Sequence, residues 1–137
     1  MKRLEVDELI IGSNEGPQLR LKANEITAYD AGGHRRFELT IERGGSPTLS
    51  LYDGNGKDRI SLRVEENGCP DLKLRDGNFT ERLSLELGDD EGEADVIFYD
   101  RSGKPQGLIG EDSQGDLGIR VPNEQGFLKP WAPKKEA

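Results

Sequence analysis

The sequence predicts an all-β chain, an antiparallel β-meander of about ten short strands built from tandem hairpin repeats of ~23 residues. Three observations predict it. A stretch with a fixed Asp recurs, with that Asp at positions 30, 53, 76 and 100, so the period is 23, 23 and 24. Apolar residues alternate with polar ones on both sides of that Asp, the period-2 signature of half-buried strands. Between the copies lie turn-forming segments, "ERGGSPT", "EENGCPD" and "GDDEGEAD", and helical periodicity is almost absent.

Taken in order, residues 1–24 break the repeat and read as an N-terminal cap. Residues 25–121 form the hairpin repeat domain. Residues 122–137, interrupted by Pro122, Pro130 and Pro133, read as an extended C-terminal tail. Within the repeat domain the copies are "ITAYDAGGHRRFELTI", "LSLYDGNGKDRISLRV", "LKLRDGNFTERLSLEL" and "VIFYDRSGKPQGLI", and a degenerate copy begins at "LGIRV". One register sorts three copies at once. It sets Leu51 against Ile60, Leu49 against Leu62, Leu74 against Leu83, Leu72 against Leu85, Ile26 against Leu39 and Ala28 against Phe37. A slip of one residue would place Leu51 against Arg59 and mix the faces. The same register sets Tyr52 against Arg59 on the polar face, across a four-residue loop from Gly54 to Lys57. Glycine at 33, 56 and 103 favours instead a three-residue turn with a bulge. The two signals differ by one residue, and parity is taken to decide.

Composition limits the partners. The 137 residues fit one domain. Nineteen Lys and Arg face 27 Asp and Glu, so the net charge of −8 repels phosphate backbones and argues against nucleic acid. No apolar run approaches a membrane span, and acidic residues interrupt any signal-peptide core in "MKRLEVDELIIGSNEG". With the single Cys69 these features predict a cytoplasmic protein, with virion association also open.

The chemistry-bearing residues read mostly as parts of the fold. "DGNGKD" is a poor calcium loop: Lys57 sits among the would-be ligands, no bidentate Glu follows, and the sister loops keep only the first Asp. The repeated Asp is expected to accept loop N–H groups. The repeated Arg, at 36, 59 and 82 with Gln106 in the fourth copy, is expected to lie over a facing Tyr or to bridge to a carboxylate. His34 lies in a hairpin loop without an associated nucleophile, Cys69 precedes Pro70 in a turn, and Asp89, Asp90, Glu91 and Glu93 read as a solvated loop. No catalytic set, metal site or cofactor motif is predicted. Tyr29, Tyr52 and Tyr99 share one repeat position. Each packs on its cross-strand Arg, or with Trp131 they make an aromatic ladder for a glycan or a protein. The candidate interaction face is therefore Tyr29, Tyr52, Tyr99, Arg36, Arg59, Arg82 and Trp131.

The pattern L-x-L-Y-D-x-x-G-x-x-R-x-x-L, with "GSP" or "GCP" between copies, resembles tandem β-hairpin repeat proteins of bacteria and of phage tail or fibre segments, over roughly residues 26 to 121. The resemblance implies a structural or interaction role, often in oligomers, and supplies no catalytic residue. An amphipathic sheet must cover its apolar face. It can close into a barrel, or share the face among copies of itself, and scarce aromatics and short strands favour a homo-oligomer, with a trimer as best guess. The expected function is a non-enzymatic structural or protein-interaction module; the alternative is a lipocalin-like barrel holding a small ligand.

Overall fold

The computed structural model describes residues 5–88, 94–111, 117–122 and 128–131. It is one antiparallel sheet whose twelve strands lie in sequence order. They are β1 (Glu8–Gly12), β2 (Gln18–Lys22), β3 (Glu25–Tyr29), β4 (Arg35–Ile41), β5 (Pro47–Tyr52), β6 (Asp58–Val64), β7 (Pro70–Arg75), β8 (Glu81–Leu87), β9 (Ala94–Tyr99), β10 (Pro105–Glu111), β11 (Leu117–Pro122) and β12 (Leu128–Trp131). The count exceeds ten because residues 1–24 contribute β1 and β2, and β12 pairs with β11 inside the expected tail. The acidic segment 89–93 lies outside the described residues.

The register follows the alternation of the sequence. Leu51 opposes Ile60 and Leu49 opposes Leu62; Leu74 opposes Leu83 and Leu72 opposes Leu85; Ile26 opposes Leu39 and Ala28 opposes Phe37. The loops correct the expected four-residue connection. The Asp53 N–H donates to the Lys57 carbonyl (2.9 Å) and the Gly56 N–H to the Asp53 carbonyl (3.1 Å), which closes a three-residue turn. Gly56 takes φ +75°, a left-handed conformation that glycine adopts without steric cost. Such a turn places Tyr52 opposite Asp58, not Arg59. Parity is restored one step later by a bulge, since Leu51 still opposes Ile60 and Arg59 is left without a ladder partner. The other copies repeat this, with Arg36, Arg82 and Gln106 as the extra residues. Turn chemistry and parity are both satisfied, and the repeated Arg is the bulge residue.

The two faces carry different rows. Leu9, Leu21, Ile26, Leu39, Leu49, Leu62, Leu72, Leu85, Val96, Ile109 and Ile119 succeed one another across the strands, and the row ends at the register position of Trp131. A second apolar row runs beside it from Ile11 through Phe37, Leu51, Ile60, Leu74 and Leu83 to Phe98. On the opposite face the central row reads Arg20, Thr27, Glu38, Ser50, Ser61, Lys73, Ser84, then Ile97 and Leu108.

Neither face is covered by a second layer of described residues. Among the described residues every contact between elements joins sequence neighbours, apart from a slight one between β10 and β12, and β1 does not reach β12. The sheet is open, which corrects the closed barrel considered for this chain. Burial is the reverse of what alternation suggests. Thr27 and Ser84 are almost wholly buried, and Ser50 and Ser61 nearly so, while Leu62 is 46% exposed and Leu85 44%. The cause is side-chain length. Small hydroxyl residues lie among longer polar side chains that bond them: Thr27 donates to Glu25, Arg75 donates to Ser61 (3.0 Å), and Tyr99 meets Ser84 (3.2 Å). The leucines opposite have only their neighbours within the same layer.

Candidate functional site

Each hairpin tip is held by an Asp clasp. Asp53 Oδ1 accepts from the N–H groups of Asn55 (2.8 Å) and Lys57 (3.1 Å), and Oδ2 accepts from Arg59 Nη1 (3.3 Å). Asp76 is engaged identically by Asn78, Thr80 and Arg82. Asp30 accepts from Gly32 and His34, with Arg36 more distant at 3.8 Å. Asp100 accepts from Ser102 and Lys104, and Gln106 takes the arginine's place at 3.1 Å. The bulged arginines reach further, since Arg59 Nε donates to the Arg75 carbonyl (2.7 Å) and Arg82 Nε to the Tyr99 carbonyl (3.1 Å). Each thus ties its own turn to the next hairpin. The carboxylates are held below their usual range. The Lys57 N–H is the largest cause for Asp53, ahead of the Asn55 N–H; the Ser102 hydroxyl is the largest for Asp100, which falls to about 2. Their oxygens are occupied by the turn, as expected from the sequence.

The tyrosines lie on the polar face, but their arginine partners are not the predicted ones. Arg20 stacks over Tyr29 (4.8 Å) and Arg35 over Tyr52 (4.2 Å). Tyr52 donates to Glu38 Oε2 (2.6 Å), which also accepts from Arg35 (2.8 Å). Burial, then this carboxylate, push the Tyr52 hydroxyl up to about 12. Tyr99 meets Ser84 (3.2 Å). At the equivalent position of the third copy stands Arg75, so the aromatic series is interrupted. Arg75 bonds Asp58 (2.9 Å) and Ser61 (3.0 Å) and lies over Phe79 (5.1 Å).

The predicted interaction residues therefore separate. Tyr29, Tyr52 and Tyr99 line the polar face, and Arg36, Arg59 and Arg82 sit at the turns. Trp131 shares register with Ile119 of the apolar face, and its side chain lies outside the described residues. Sequence reasoning missed Arg20, Arg35, Arg75, Glu38 and Asp58. The bulge hides Asp58, which takes the place of Arg59 opposite Tyr52. Arg20 reaches Tyr29 from β2, and Arg35 and Glu38 reach Tyr52 from β4, the strand on the far side of the hairpin.

Two surfaces remain as sites of action. On the polar face an open groove of about 320 Å³ is lined by Glu38, Tyr52, Asp58, Ser61, Asp71 and Arg75. Its groups largely satisfy one another: Asp71 pairs with Lys73 (3.2 Å) and Arg63 (3.4 Å), and Glu38 and Arg75 are bonded as above. Asp58 Oδ1 alone among them is buried without a partner, and burial raises its pKa. The apolar face is unsatisfied throughout. Among the described residues, all the exposed large hydrophobic side chains apart from Val6, Ile10 and Phe79 lie on it.

No protein-family model matches the chain, and no curated protein is similar to it in sequence. Among solved structures it is similar to one described as the crystal structure of TarM, at 11% identity and a TM-score of 0.24, over 84% of this chain and 19% of that one. So slight a likeness carries no argument. No helix among the described residues is long and apolar enough to cross a membrane.

Proposed function

We propose that the protein is a non-enzymatic structural or interaction module that acts by self-association through its apolar face. The observation that supports this is the face itself. At roughly 60–80 Å² for each exposed aliphatic side chain it presents on the order of 1,000 Å², against ~300–600 Å² for the largest patch of an ordinary monomer. A standard stable interface needs ~800 Å² from each partner. Two sheets packed face to face about 10 Å apart, or three around a threefold axis as the sequence suggests, cover it with matching rows of Leu and Ile. A lipocalin-like function would need a closed barrel and is not favoured by an open sheet.

Light scattering tests the reading. A stable multiple of 15.2 kDa is expected, together with a melting temperature that rises with concentration. Leu62→Lys, placed in the middle of the face, is expected to break the apolar-face contact and lower the mass at least twofold while the circular dichroism of the sheet persists. A wild-type protein that stays monomeric at high concentration, with its melting temperature unchanged by dilution, overturns the reading.

A further inference from the structure

β1 bonds to β2 and to no other described strand, so among the described residues the backbone groups of its outer side have no ladder partner. Every residue of the strand is exposed, and Leu9, Ile10 and Ile11 are 41%, 49% and 52% so. Edge strands are ordinarily guarded by proline, lysine, a bulge or an inward charge. None of these occurs in "ELIIG", where Glu8 is the only charge. The other edge is guarded. β12 reads "LKPW", and Pro130 has no N–H to give to a new neighbour. β1 is also apolar on both faces. Leu9 and Ile11 begin the apolar rows, and Ile10 stands on the polar face beside Arg20, where the rows behind it are hydrophilic.

We propose that β1 is a strand-addition site and that its occupant is β1 of a second copy, antiparallel, about a twofold axis through Ile10. In this register Ile10 faces its own counterpart, and Leu9 and Ile11 face each other in both directions. Opposed residues of an antiparallel pair point to the same side, so the apolar rows run on unbroken from one copy into the next. Glu8 falls opposite Gly12, which keeps like charges apart. A shift that centres the axis on Glu8 would set two carboxylates together, and a one-residue slip would turn the second copy's apolar rows to the other side. Joining β1 to β12 head to tail would grow into open filaments unless its rotation closed a ring, and it would meet Pro130. The twofold pair closes on itself. It uses backbone groups that the apolar-face contact leaves untouched, so the two associations are separable.

Cysteine cross-linking tests it, in a Cys69→Ser background. Opposed Cβ atoms lie about 4.5–5.5 Å apart, close to disulfide spacing. Ile10→Cys is expected to give a disulfide-linked dimer under mild oxidation at least tenfold faster than Asn55→Cys at an exposed hairpin tip. Ile10→Lys, which guards the edge without touching the apolar rows, is expected to lower the mass of the assembly by a factor of two. Dimer yields no greater for Ile10→Cys than for Asn55→Cys overturn the proposal. So does a mass that falls with Leu62→Lys but not with Ile10→Lys, a result that leaves the apolar-face reading standing. In a Leu62→Lys background, where the apolar-face contact is removed, mass that climbs steadily past two chains indicates head-to-tail growth and also overturns it.

Discussion

Phe79 holds a backbone conformation that the three sister turns give to glycine. Its φ is +66°, beside +76° at Gly33, +75° at Gly56 and +80° at Gly103. A residue with a side chain loses about 1–2 kcal/mol there. The Arg75 guanidinium over the ring offsets roughly 0.5–1 kcal/mol of that. Phe79→Gly is therefore expected to stabilise by about 0.5–1 kcal/mol, which a thermal melt reads as a rise of roughly 2–5 °C. An unchanged or lower melting temperature would mean that the stacked ring outweighs the backbone strain. The turn aspartates make a second prediction at this scale. Their pKa values are depressed in the folded chain, so the stability they confer is present above the unfolded value of 3.8 and is lost as pH falls through the folded one, about 2 for Asp100. Asp58, raised by burial, works in the opposite direction. Melts of Asp100→Asn between pH 5 and 2 should show a flatter acid limb than wild type. Parallel limbs would remove the clasp from the account of acid stability.

At the scale of the hairpin, Gln106 is a natural substitution series of one. It keeps the contact to its Asp at 3.1 Å where the other copies use Arg. Arg59→Gln should keep the Asp53 contact and lose only the bond to the Arg75 carbonyl. Arg59→Ala loses both and is expected to destabilise more than Arg59→Gln. Denaturant titration with Asp53→Ala as the second arm of a double-mutant cycle measures the coupling, and full additivity would count against the clasp. The hairpins were legible because alternation and a fixed Asp repeat together, and Leu51 with Ile60 or Leu72 with Leu85 can be paired from parity alone. The bulge was not legible. Parity and the glycine turn each gave a correct half of the answer, and only backbone geometry shows how one extra residue reconciles them. Exposure was not legible either. Alternation tells which face is apolar but not whether anything covers it. Lys73, at a polar position of the alternation, is 22% exposed, lies between Ser61 and Ser84, and pairs with Asp71. Lys73→Asp is accordingly expected to cost more than an ordinary surface change, because it sets a second carboxylate beside Asp71.

At the scale of the whole molecule the sheet is modular. Each hairpin touches only its neighbours, so stability is close to a sum of hairpin and interface contributions. Deleting residues 49–71 joins Thr48 to Leu72 and removes one period, and Leu72 then stands where Leu49 stood in the repeat. The shortened chain is expected to keep its β-sheet circular dichroism and to melt a few degrees lower. Collapse to an unfolded chain would show that the strands depend on distant partners after all.

The same neighbour-only arrangement governs how the chain finds its fold. A strand never waits for a partner far away in sequence, and closing any one hairpin spans only a short turn. The entropy of loop closure therefore stays small at every step, and contact order is low for an all-β protein. Any hairpin can serve as a nucleus, with the next strand added on either side in register, as a zipper closes from wherever it is first engaged. Such a chain should refold faster than sandwiches or barrels of equal length, and under the proposed self-association the slow step should be the meeting of copies, whose rate depends on concentration.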